Sequence, residues 1–130
     1  MSLSIHHLLA VSLGGALGAA GRYLVMVWVG HWLGHGFPFG TLAVNIVGSF
    51  LLGALIETSA LVWSPSPEIR AFIVVGVLGA FTTFSTFSLD AYTLWVRGDV
   101  VQAAIYVAAS IVLCIFALLA GLVTFRMLLS

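Results

Sequence analysis

Between Gly79 and Asp90 the chain reads GAFTTFSTFSLD, with Thr82, Thr83, Ser85, Thr86 and Ser88 set among Phe81, Phe84 and Phe87. Hydroxyls donate and accept hydrogen bonds, and the edge of a phenyl ring carries partial positive charge. Such groups can replace the water around a small anion. They can also satisfy backbone groups where a helix opens, leaving carbonyls free for a cation. Asn45 supplies an amide, and Tyr106, Ser110 and Cys114, spaced by four, share one helix face. Arg22 and Asp90 add one charge of each sign.

These residues sit in a chain of 130 that is 62% apolar and only 6% charged. A water-soluble domain carries about 25% charged residues to keep its surface hydrated. The composition therefore implies an all-α integral membrane protein. Four arginines, no lysine and four acids give no net charge and no basic patch, which excludes nucleic acid as a partner. No nucleophile–base set or metal motif points to an enzyme. Cys114, the single cysteine, can form no internal disulfide. The opening MSLSIHHLL lacks the positive start of a signal peptide and reads as the lead into a retained first span.

A helix needs about 20 residues to cross the hydrocarbon core. Four apolar segments meet that length, at about 8–30, 40–62, 70–96 and 101–125, in a single four-span domain. Trp28, Trp32, Trp63 and Trp95 lie near span ends, where indoles settle at the membrane interface. Arg70 and Arg126 fall on one side; Arg97, with Arg22 leaning the same way, falls on the other. Without a bias in basic residues the chain can insert in both orientations, so an antiparallel homodimer is expected.

The third span is centred near Thr83, which puts the hydroxyl run at mid-bilayer, where unsatisfied polar groups cost most. At 1.5 Å per residue the span is about 40 Å long, against about 30 Å of hydrocarbon, so it has length to spare for a break. The stretch Gly76-Val77-Leu78-Gly79 before the threonines is one place for it. The other reading of Gly76 and Gly79 is close helix packing. By the same rise Asn45, Tyr106 and Asp90 lie about 9–10 Å from the midplane and Ser110 about 4.5 Å, all in one half of the protomer. Phe84 and Phe87 lie at about 1.5 and 6 Å in that half, flanking a polar file. Each residue also has a packing role open to it: Asn45 and Ser110 as interhelical hydrogen-bonding groups, the phenylalanines as core, Arg22 as a snorkelling cation. Glu57 stands apart, in the other half. No carboxylate occupies the bilayer centre, which tells against a proton-coupled exporter of cationic drugs. Hydroxyls, an amide, an arginine and ring edges fit an anion path better.

The segments GGALGAAGRY (14–23), GTLAVNIVGSFLLG (40–53) and GVLGAFTTFSTFS (76–88) closely resemble the Fluc, or CrcB, family of bacterial fluoride channels, over essentially the whole chain. The resemblance implies an antiparallel dual-topology homodimer in the bacterial inner membrane, with two pores and fluoride as the ion exported. It implies a structural sodium ion on the dyad, held by main-chain oxygens that map onto Gly79 and Thr82. The pore residues map onto Asn45, Phe84 and Phe87, with a polar track at Tyr106 and Ser110 and a pore mouth near Arg22 and Asp90. Asp90 stands where the family commonly carries glutamate, and Cys114 continues a row of hydroxyls. The alternative class is a dual-topology small multidrug-type transporter. A non-transporting assembly subunit would explain the small-residue faces but not the concentrated polar file.

Overall fold

The computed structural model describes residues 3–130. Four helices are long and apolar enough to cross a membrane: α1 (Ile5–Leu33), α2 (Phe39–Leu61), α3 (Pro67–Val96) and α4 (Val100–Leu129). The protein is a multi-pass membrane protein. Both α1 and α4 run past the expected apolar limits because local chemistry extends them. Ser4 caps α1, its Oγ accepting the His7 amide at 3.1 Å, and Gly34 ends it with φ 77°, a conformation that favours glycine. At the far end of α4, Arg126 Nε donates to Glu57 Oε1 at 2.8 Å, which holds the helix beyond Phe125. Glu57 is buried near the end of α2, so the pairing explains how a carboxylate is tolerated there.

Glycines set the packing. A side chain at Gly14 or Gly18 would run into the backbone carbonyls of Phe72 and Val77, and one at Gly76 into the backbone of Gly14. On the other side of the molecule, Gly53 faces the Leu118 carbonyl and Gly121 that of Phe50. Two close helix pairs result, α1 with the first half of α3 and α2 with α4. Backbones approach this closely only where side chains are absent, and in lipid that contact is the main source of cohesion.

The break in α3 is real, and it lies at Thr82 and Thr83, beyond the glycines. Residues 67–81 form the first arm, which winds through a π-helical stretch, Ala71–Leu78, before a last α-helical turn at Gly79–Phe81. Thr82 (φ −88°, ψ 160°) and Thr83 (φ −154°, ψ 116°) are extended, and Phe84–Val96 forms the second arm. Gly76 stays helical because its task is contact with α1. Gly79 is also helical, and a side chain there would meet only the Val74 carbonyl, at an ordinary contact distance of 3.4 Å. The even spacing of the phenylalanines therefore does not mark a single helical face. Phe81 ends the first arm and packs near Gly21 and Gly48, whereas Phe84 and Phe87 ride on the second.

Candidate functional site

The site begins with the bonds that replace the lost helical turn. In a continuous helix the Thr83 amide would donate to the Gly79 carbonyl and the Thr86 amide to that of Thr82. Here Thr83 N donates instead to Asn45 Oδ1 at 2.8 Å, and Asn45 Nδ2 donates to the Thr83 carbonyl at 3.1 Å. Thr86 N donates to Thr83 Oγ1 at 3.1 Å, an N-cap on the second arm. Thr82 folds back, its amide and its Oγ1 both donating to the Leu78 carbonyl, at 3.1 and 3.0 Å. Asn45 is thus a splint from α2, and Thr83 is the cap it holds. The carbonyls of Gly79 and Thr82 are among those that lose their helical donors at the break. Hard oxygen atoms of this kind suit an alkali cation at an unwound segment. Two from one protomer are too few to surround it.

Against this break lies a cavity of about 430 Å³. Asn45, Gly48 and Ser49 of α2 form one wall, and Ser110 and Cys114 of α4 form another. The α3 side presents Gly79, both threonines, Phe84 and Phe87. Ser110 is 7% exposed, and its Oγ has no hydrogen-bond partner among the described residues. A buried hydroxyl costs free energy unless something accepts its proton or donates to it, so Ser110 stands out among the cavity residues.

Aromatic rings lead outward from the cavity. Phe84 and Phe87 lie 5.3 Å apart, centre to centre, and Phe87 lies 5.3 Å from Tyr106. Tyr106 is fully buried, meets Phe37 edge to face at 5.5 Å, and donates its OH to Asp90 Oδ2 at 3.1 Å. Phe84 is 78% exposed on the protomer, an open flank on the cavity.

Of the expected site residues, the structure gathers Asn45, Phe84, Phe87, Ser110, Gly79 and Thr82 around one space. Tyr106 and Asp90 join it through Phe87 rather than by lining it. Arg22 lies half-buried on α1 and does not line the cavity. Thr83 and Ser49 were missed as site residues. Threonine is a favoured N-cap residue ahead of a helical run, and that preference could have marked Thr83. Ser49 carries no such mark.

Fold and cavity together define a small multi-pass membrane protein with a largely apolar cavity, carrying a few polar groups, at a helix break. Residues 9–122 match the family described as CrcB-like protein, Camphor Resistance (CrcB). The chain is 55% identical over 119 residues to the fluoride-specific ion channel FluC of Rhodospirillum centenum, covering 92% of this chain and 94% of that one. It is 48% identical over 127 residues to the protein of the same name from Hahella chejuensis, covering 98% and 100%. A third such channel, from Agrobacterium fabrum, is 55% identical over 112 residues, 86% of this chain and 90% of that one. The chain belongs to the CrcB family.

Proposed function

We propose that this chain is a passive, fluoride-selective ion channel, built as an antiparallel homodimer with two pathways. The observation that carries the reading is Ser110: a buried hydroxyl without a partner, facing a cavity that also holds the Asn45 amide and the rings of Phe84 and Phe87. Asn45 spends one amide hydrogen on the Thr83 carbonyl and keeps the other. Fluoride, small and a strong hydrogen-bond acceptor, gains more from such donors than a larger halide does. No carboxylate lines the cavity among the described residues, and Asp90 is engaged by Tyr106, so an anion meets no unpaired like charge there. The same fact disfavours the multidrug transporter, whose cationic cargo needs an acid. The names of the relatives support fluoride as the ion.

Two copies serve this reading in three ways. A second protomer covers the exposed face of Phe84, completes the cavity wall, and adds its own Gly79 and Thr82 carbonyls to those of the first. The even distribution of arginines permits opposite insertion. In that arrangement Gly79 and Thr82 of both copies hold a structural sodium ion on the dyad. When bound it supplies a fixed positive charge that makes a mid-membrane anion less costly. In the cell, HF crosses the membrane unaided, ionises in the neutral cytoplasm and is trapped. A selective leak at negative membrane potential then drives the anion out.

Bacteria stripped of fluoride export and grown in acidic, fluoride-containing medium test this role. Cells making this chain should accumulate less fluoride and resume growth. Cells that hold the folded protein in their membrane and remain as sensitive as the parent would contradict it.

A further inference from the structure

The cavity wall carries one group that this path does not use. Cys114, the only cysteine, has a free thiol, lies half-buried and lines the cavity. Ser110, one helical turn before it, stands on the same wall with a buried Oγ that has no partner among the described residues, and Ser49 lines the cavity from α2. The two observations are independent: a soft nucleophile and an unspent oxygen stand on the wall of one cavity. Sulfur is a soft ligand and selects soft metals over hard ones. Mercury(II) and silver(I) bind linearly, so one protein sulfur and one other ligand complete them and no second cysteine is needed.

We propose that Cys114 is a capture site for soft, thiol-seeking metal cations, of which methylmercury is the simplest, and that capture closes the channel. The closing half rests on the reading of the cavity as the fluoride path. With methylmercury hydroxide the reaction balances without redox change. The Cys114 S–H bond breaks, an S–Hg bond forms, and the hydroxide released from mercury leaves with the thiol proton as water. The product is neutral and fixes a bulky group beside Ser110, where the anion must pass.

The test uses the whole protein in phospholipid vesicles, treated with methylmercury hydroxide and read by intact mass and by fluoride efflux. The untreated rate of each variant serves as its own reference. The wild type should gain one adduct and fall to the efflux of protein-free vesicles, with a dithiol chelator reversing both. Cys114→Ser should gain no adduct and keep its own rate. The double variant C114S/L119C moves the thiol to a side chain exposed on the outer face of α4, and should take the adduct without losing efflux. Absence of an adduct on the wild type, an adduct that leaves efflux intact, or equal block of the double variant would each overturn the proposal. If untreated vesicles pass no fluoride, it is the channel reading that fails. The adduct mass then still decides whether Cys114 captures the metal.

Discussion

Ser110 is the residue on which the chemistry turns, because its hydroxyl is buried without a partner while nearly every other hydroxyl near the break is spent locally. Thr82 bonds to Leu78, Thr83 to Thr86, and Ser88 to Phe84. A hydrogen bond to a charged group is worth about 1.5–3 kcal/mol, so Ser110→Ala should lower fluoride efflux by roughly ten- to a hundredfold. Ser110→Thr, which keeps the hydroxyl, should retain most of it. Efflux per dimer from vesicles reads this directly, and a wild-type rate for the alanine variant would remove Ser110 from the path. Phe84 offers a second check at this scale. Its ring lines the cavity, so Phe84→Ile, which keeps an apolar side chain there, should cost flux more than it harms dimer assembly. A variant that conducts normally would reduce the ring to packing.

The broken helix is the element that makes the site, and Asn45 holds it. Asn45→Ala leaves the Thr83 amide and carbonyl without their partner, at a cost of about 2–6 kcal/mol for two buried backbone groups. This variant should therefore lower thermal stability as well as efflux, unlike Ser110→Ala. Unchanged melting would show that Thr83 finds other partners. The Glu57–Arg126 pair gives a second prediction for the helices. Arg126→Ala strands a carboxylate whose side chain is only 9% exposed, so it should destabilise more than the double change to Glu57→Leu and Arg126→Ala. Thermal unfolding in detergent measures both, and equal losses would deny the pairing its role. The sequence showed the four spans plainly, because length and apolarity alone decide them in lipid. It showed α3 with length to spare for a break and offered Gly76–Gly79 as one place, with close packing as the other reading, since glycine serves both. Only the neighbour reveals which, and Gly76 proves to be paired with Gly14. The polar residues at similar depth were legible by counting rise. The Asn45–Thr83 splint was not, because it joins residues far apart in the chain whose facing depends on how α2 rotates against α3. Glu57 and Arg126 were hidden for the same reason.

The single protomer is an incomplete machine: its cavity is open along Phe84, and its diverted carbonyls are too few for a cation. In the proposed dimer a second copy in the opposite orientation would close both gaps, and the arginine distribution permits it. A reporter fused to the C-terminus should accordingly be found on both sides of the membrane in comparable amounts, and its appearance on one side alone would contradict the antiparallel dimer. The central claim is that this assembly passes fluoride and little else. It is tested most directly by passive efflux from vesicles containing the purified protein, loaded with fluoride or chloride and followed with ion-selective electrodes without an imposed proton gradient. Rapid release of fluoride with chloride retained is the predicted result. Retention of both ions by vesicles carrying well-folded dimers would contradict the account.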